Sequence, residues 1–351
     1  MRTDSPHQPT ENDQALIALL RELSAVPALS GEEDAMSRFM ADRLAARADS
    51  VEIDSIGNVI ARFGPEVQPA IAVLAHMDSI GMRVNRDNRD GTLGAVPVGG
   101  VNYRAMPGAP VRVGDVPGVV TVRSQHQSKE GESTLNWESL AIDVGGAAVE
   151  MTTPVLYAAA PVELAGGCFA APYMDDRAGC AVLLTLADRL PVERAYTVYL
   201  IGTVQEETNS LGAFHALQAV KPAAALFVDG TVSHDTPETA SRGQVRLGAG
   251  PVLVAYLYTR GGNGWSANPK LRQHLKQVAS GAGIAYQQDA VDGLIADSKT
   301  TVLLGIPSAV IGLPMRSKHA PLEVVHLDDL TRAVDLLVGV VSAPLPSLAR
   351  G

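Results

Sequence analysis

The chain has 351 residues, 46% of them hydrophobic and 19% charged, which suits a globular protein long enough for a large core and two domains. Lysine and arginine number 28 against 38 aspartates and glutamates, and the resulting net charge of −10 disfavours a nucleic acid or an anionic membrane as partner. The two cysteines, Cys168 and Cys180, are too few for a disulfide framework and fit a reducing, cytoplasmic setting.

Met1 to Pro9 is polar and lacks the apolar stretch of a signal peptide, so it reads as a loose leader. No apolar run approaches the ~18 residues a membrane span needs. Leu16, Ile17, Leu19, Leu20 and Leu23 recur at helical spacing. Ser30-Gly31-Glu32-Glu33 has the form of a capping box and predicts a second helix starting there. Val51 to Asp54 and Asn58 to Arg62 alternate like strands. The fully apolar run Ala70-Ile71-Ala72-Val73 then predicts a buried strand leading to His76.

The texture changes after Val84. Asn85 to Gly91 is turn chemistry, and short strands follow at Thr92 to Val96, Ala109 to Val113, Gly118 to Arg123 and Ser139 to Val144, with a polar stretch from Gln125 to Asn136. No helical period appears. This predicts a small all-β unit over residues 85–164, inserted into an α/β domain made of residues 1–84 and 165–351, with the ends of the insertion close together. The α/β pattern resumes at Cys168. A helix is predicted over Ala178 to Leu190, a strand over Tyr196 to Val204, a helix over Gly212 to Val220 and a strand from Ala223 to Val228, ending on Asp229. Asn268-Pro269 marks another helix start, and Leu327 begins a last amphipathic helix reaching Val341.

Several of these strand or loop ends deliver an imidazole or a carboxylate: His76 and Asp78, Asp175 and Asp176, Glu206 and Glu207, Asp229, and His319 after the strand through Ala309-Val310-Ile311. In an open α/β sheet such ends converge at one edge, where ligands bind. Singly, each motif is weak. A His-x-Asp at a strand end is more often structural, Asp175-Asp176 can simply cap a helix, and Asp229-Gly230 can be a turn. Their joint occurrence predicts a site for two divalent cations. Asp175, Glu207 and Asp229 with neutral His76 and His319 would balance two divalent ions and one bridging hydroxide. Adjacent Glu206 and Glu207 cannot both point the same way along a strand, so one can be a ligand while the other faces the water; Asp78 could orient the His76 ring. Cys180 reads as a packing residue, and His7, His126, His215, His234, His274 and His326 as non-ligands. No nucleophile elbow, zincin helix or phosphate loop is present.

The motifs, taken together, resemble those of the tetrahedral, glutamyl and deblocking aminopeptidases, a family of co-catalytic di-metal exopeptidases, and the resemblance covers nearly the whole chain. It rests on Leu23-Ser24-Ala25-Val26-Pro27-Ala28-Leu29-Ser30-Gly31-Glu32-Glu33, Asp54-Ser55-Ile56-Gly57-Asn58, Ala75-His76-Met77-Asp78-Ser79-Ile80-Gly81, Met174-Asp175-Asp176-Arg177, Val204-Gln205-Glu206-Glu207 and Lys318-His319-Ala320-Pro321-Leu322-Glu323. The resemblance implies a three-layer α/β/α metallopeptidase domain with a central mixed sheet and an inserted all-β dimerisation domain. It implies that Asp175 bridges two metals, zinc or cobalt, with His76 and Asp229 on one and Glu207 and His319 on the other. Glu206 would be the general base, and Asp78 would orient His76. Short peptides or small amino-acid amides would be the substrates, and the assembly would be built from dimers, up to a hollow dodecamer. The chain departs from the family pattern at Thr208 to Gly212, Ile295 to Lys299 and Met315 to Lys318, which flank the site and bear on substrate choice. An amidase or deacylase of a small amino-acid compound on the same centre is the alternative function. A non-catalytic assembly protein stabilised by metal is the second, which the intact Glu206 argues against. The insertion, having no clustered ligand candidates, is expected to serve assembly and contribute little to the chemistry.

Overall fold

The structure is a computed structural model and describes residues 10–66, 69–122, 135–194, 196–259 and 263–349. The leader, His7, His126 and nearly all of the polar stretch from Gln125 lie outside the described residues.

Helices α1 (Glu11–Ala25) and α2 (Asp34–Ala45) lead into β1 (Ser50–Ile53), β2 (Val59–Phe63) and β3 (Ala70–His76). The next six strands are β4 (Gly81–Asp87), β5 (Thr92–Val98), β6 (Pro110–Val113), β7 (Val116–Val122), β8 (Leu140–Asp143) and β9 (Pro154–Tyr157). Then come β10 (Val162–Leu164), β11 (Cys168–Ala171), α3 (Met174–Arg189), β12 (Thr197–Thr203), α4 (Leu211–Val220) and β13 (Ala224–Val232). The rest is β14 (Val252–Thr259), β15 (Asn263–Ser266), α5 (Pro269–Gly281), β16 (Gln287–Asp292), α6 (Thr300–Leu304), β17 (Ser308–Met315), β18 (Glu323–His326) and α7 (Leu327–Ser342).

A central mixed sheet runs in the order β1-β2-β12-β3-β13-β17-β14-β15, with β16 beside β14. Its middle, β12-β3-β13-β17, is parallel; β1-β2-β12 on one side and β17-β14-β15 on the other pair antiparallel, and β16 runs parallel to β14. Every residue of β3 is buried because helices cover both faces. The strand period of two divides it: Ile71, Val73 and Ala75 pack with α1, α2, α3, α5 and α7, while Ala72 and Leu74 pack with α4. This is the expected three-layer α/β/α arrangement.

The inserted unit is a closed barrel, β4-β5-β8-β7-β6-β9, filled by residues such as Met82, Val84, Val111, Val120, Ile142 and Val155. Closure leaves no open strand edge. Its entry strand β4 pairs with its exit strand β9, Met82 opposite Val155, so both connections to the α/β domain leave from one place. The sequence pattern missed β9, and β4 extends two residues past Asn85 before turning.

Two local expectations are corrected. The second helix starts at Asp34, and its N-cap Glu33 makes no side-chain cap bond. Glu33 is drawn elsewhere: its carboxylate accepts from Gly31 N and from Gln205 N beside the site, and Ser30 bonds Thr208. A capping box does exist, at Thr10 and Asp13 ahead of α1. Second, β13 does not end on Asp229 but continues to Val232, held by its parallel neighbour β17 through Met315.

Arg177, in the first turns of α3, is fully buried, and its guanidinium donates only to carbonyls: Leu23, Val26 and Met77. It thus ties the end of α1 to the residue following His76. Arg177→Met is expected to destabilise the chain by roughly 2–3 kcal/mol, because buried acceptors that lose their donor each cost about 1 kcal/mol or more. The denaturation midpoint of the variant checks this.

Candidate metal centre

The site lies at the carboxyl ends of the central parallel strands. His76 is the last residue of β3, Asp229 sits late in β13, and Glu206 and Glu207 follow β12 after Gln205, which takes a left-handed conformation (φ 59°) and turns the chain out of the sheet. Asp175 stands in a non-helical turn at the start of α3, and His319 in the loop between β17 and β18. Two groups of donors form. His76, Asp175 and Asp229 make one, and Asp175, Glu207 and His319 the other; in each, the ligand atoms lie within 4.8 Å of one another. Asp175 belongs to both.

The ring nitrogens are sorted by their partners. His76 Nδ1 lies 3.2 Å from the Asp78 carbonyl and His319 Nδ1 2.8 Å from the Gly100 carbonyl. A carbonyl only accepts, so each Nδ1 carries the hydrogen and each Nε2 presents its lone pair inward. The two Nε2 atoms address the two oxygens of one carboxylate: His76 Nε2 is 3.5 Å from Asp175 Oδ1 and His319 Nε2 3.1 Å from Asp175 Oδ2.

Asp78, Asp175, Asp176, Asp229, Asp297 and Glu323 are all buried here, with Glu206 and Glu207 half-buried beside them. Such a concentration of acid is costly unless cations offset it. Asp175 Oδ1 and Glu207 Oε1 are inaccessible to solvent and have no hydrogen-bond partner among the described residues. Orphaned carboxylate oxygens facing imidazole lone pairs are the donor set that a divalent cation requires, so the residues fit two such ions sharing Asp175. Burial and the charges of Asp229, Glu207 and Asp297 push the Glu206 carboxyl well above the usual carboxylate range.

Backbone is held as firmly as side chain. Asp78 does more than approach His76, from which its Oδ1 is 3.4 Å: its two oxygens accept from Glu206 N (2.9 Å) and Glu207 N (3.1 Å), fixing where both glutamates start. Glu323 carries no assigned role in its sequence motif. Its carboxylate accepts from Asp175 N and His319 N, bracing two members of the site. A glutamate within the apolar run Leu322-Glu323-Val324-Val325 was the available signal. Asp297, buried under Thr203 Oγ1 at 2.6 Å, was likewise missed. So was Lys318, whose ammonium contacts Asp175 and lies 3.7 Å from Asp229. Asp176 does cap α3, accepting from Gly179 N.

The remaining described histidines stay outside both donor groups. His215 meets Asp54, His326 caps α7, and His234 donates its amide to Val245. Cys180 packs in the core, and both cysteines are free. No helix among the described residues is long and apolar enough to cross a membrane.

The barrel, expected to serve assembly and to contribute little to the chemistry, reaches the site through its backbone. The turn after β5 brings Gly100 to His319, and Asn102 N donates to the His319 carbonyl at 3.0 Å.

Comparison with known proteins agrees with this geometry. The family model for M42 glutamyl aminopeptidase matches residues 57–336. The lysyl aminopeptidase of Pyrococcus furiosus is 31% identical over 91% of this chain and 94% of its own. Among solved structures, aminopeptidase APDkam598 from the archaeon Desulfurococcus kamchatkensis is 30% identical, covers 96% of this chain and 97% of its own, and superposes with a TM-score of 0.89. The TET1 peptidase of Pyrococcus horikoshii, described as assembling into a tetrahedron or a large octahedral shell, is 25% identical over 94% of this chain and 100% of its own, with a TM-score of 0.83.

Proposed function

The chain belongs to the M42 glutamyl aminopeptidase family and is a di-metal aminopeptidase; from that premise we propose the residue roles, the substrates and the assembly. His76 and Asp229 would hold one cation, Glu207 and His319 the other, and Asp175 would serve both. The observation that carries this is the pair of imidazoles presenting Nε2 to the two oxygens of one buried carboxylate. Imidazole and carboxylate donors suit zinc, and the family resemblance points to zinc or cobalt. Two such ions would polarise the scissile carbonyl and acidify the attacking water. Glu206 would take the proton of that water and return it to the leaving amine, a task suited by a carboxyl that burial makes a firmer holder of a proton. Asp78 fixes the Glu206 amide and flanks the His76 ring, so it sets the base and a ligand at once.

The substrates are short peptides carrying a free amino terminus, a reading supported by the Pyrococcus furiosus relative's being a lysyl aminopeptidase. The di-metal domain is interrupted by the insertion, expected over residues 85–164, whose barrel strands run from β4 to β9, residues 81–157, and this barrel is the dimerisation element. Val96, Val119 and Met151 on it are about two-fifths exposed and would be covered by a second copy. A tetrahedral shell with one dimer along each edge is a dodecamer, the assembly we infer. The protein works in the cytoplasm, in keeping with its free thiols.

Chain reconstituted with zinc, cobalt or manganese and offered a panel of aminoacyl anilides and N-acylated amino acids decides the substrate class. Hydrolysis of the free-amine anilides alone is expected. Hydrolysis confined to the N-acyl compounds would assign a deacylase.

Lys318 bears on metal loading. A cation entering between His76, Asp175 and Asp229 meets an ammonium on two of the same carboxylates. Like charges about 4 Å apart repel by roughly 4 kcal/mol at a protein surface, and part of this is relieved when the lysine swings away. Lys318→Met is therefore expected to tighten that position about tenfold, or ~1.4 kcal/mol, read by chelator competition at fixed pH.

A further inference from the structure

We propose that the barrel insertion is a positioning element of the metal centre: the turn Gly99 to Asn102 locks His319 as an Nε2 ligand of the cation it shares with Glu207. The inference rests on the ligand reading given above. Three contacts carry it. The Gly100 carbonyl takes the His319 Nδ1 hydrogen at 2.8 Å, which fixes both the tautomer and the plane of the ring. The Asn102 amide holds the His319 carbonyl at 3.0 Å, pinning the backbone of a residue that stands in the left-handed region (φ 65°). Gly99 presses on the other ligand of the same cation: a side chain there would come within 3.3 Å of Glu207 Cβ and 2.8 Å of Ile80. Gly99 itself needs φ +75°, which glycine adopts without strain.

The turn is therefore moulded to the Glu207/His319 side of the centre. The other donor group is held differently, with the His76 ring on the Asp78 carbonyl, from within the α/β domain. The two cation positions thus depend on different parts of the chain, and only one depends on the insertion.

The glycine at 100 is a sensitive point. It does not need a left-handed conformation, so alanine is free of backbone strain, yet its Cβ would lie 3.0 Å from His319 Nδ1 and 3.2 Å from Cε1. The ring must give by a few tenths of an ångström. Asn102→Pro removes the amide hydrogen together with the asparagine side chain, at a position whose φ of −85° lies near the range proline requires.

The test measures metal per subunit and the two affinities by chelator competition in full-length protein loaded with zinc, without reference to activity. His319→Ala sets the benchmark for loss of one position, and Gly281→Ala, in open space, is the control. Gly100→Ala and Asn102→Pro are each expected to weaken one position by about 10–100-fold and leave the other at the parental value, the range found when the partner of a ligating histidine is lost. Far-UV circular dichroism should match the parent. Should Gly100→Ala not fold, Asn102→Pro decides. If His319→Ala keeps both metals, the ligand reading falls and this proposal with it. If His319→Ala loses one while Gly100→Ala and Asn102→Pro hold both with parental affinity, the ligand reading stands and the proposal alone is overturned.

Discussion

Glu206→Gln is expected to lower turnover by at least ~100-fold, the lower range for a lost general base, while metal content stays at the parental value. Glutamine keeps the size of the side chain and its place but cannot take up a proton. The backbone at this point is held independently, by the Glu206 amide on Asp78, so the substitution leaves the turn intact. Glu206 belongs to neither donor group, whereas its neighbour Glu207 belongs to one. Burial and three nearby carboxylates suppress its acid dissociation, which favours a group that must hold a proton between two steps. Turnover and metal analysis on the same preparation separate the roles. A variant that loses metal would make Glu206 a ligand, and one that keeps full turnover would remove it from the chemistry. Glu207→Gln, by contrast, should lose metal first and activity in consequence.

Asp175→Ala is expected to lose both cations after desalting, whereas His319→Ala should lose mainly one. Asp175 is the sole residue common to the two donor groups, and each of its oxygens is addressed by a different imidazole. Its backbone is set by Glu323, so alanine should not collapse the turn. The loss has a second readout. A cation that binds only the folded state stabilises it by about 2.7 kcal/mol at a hundred times its dissociation constant. The parent should therefore gain thermal stability on zinc addition and Asp175→Ala should not. Equal metal occupancy in the variant and the parent would rule out the bridge.

The chemistry-bearing residues were legible because each follows a strong local signal. The apolar run of β3 forecasts a strand buried on both faces, and such a strand must end at an edge of the sheet. His76 closes a strand of this kind and Glu206 follows another, so their approach could be read from pattern alone; Asp229 lies within β13, three residues short of its end. The barrel was legible from short strands, glycine, proline and the lack of a helical period. The start of α5 was legible from Asn268, whose side chain accepts from the amides of Lys270 and Leu271. Where the local reading failed, a distant partner had outbid a near one. Ser30 and Glu33 have capping-box spacing, but their polar atoms go to Thr208 and Gln205.

The sequence by itself determined the α/β class of the outer domain, the presence of an all-β insertion and the residue types of the metal centre. These follow from periodicity and from which side chains end buried strands. Only the tertiary structure decided how the centre is held: Glu323 under Asp175 and His319, Asp78 under two glutamate amides, Lys318 against two carboxylates, and the barrel turn on His319. The physical reason is that these contacts run largely through backbone amides and carbonyls, which every residue possesses. Gly100 and His319 are 219 positions apart, and a carbonyl at that distance leaves no period, composition or spacing to read. Side-chain chemistry is written in the chain, but the pairing of its backbone groups across domains is settled only when the sheet and the barrel pack together.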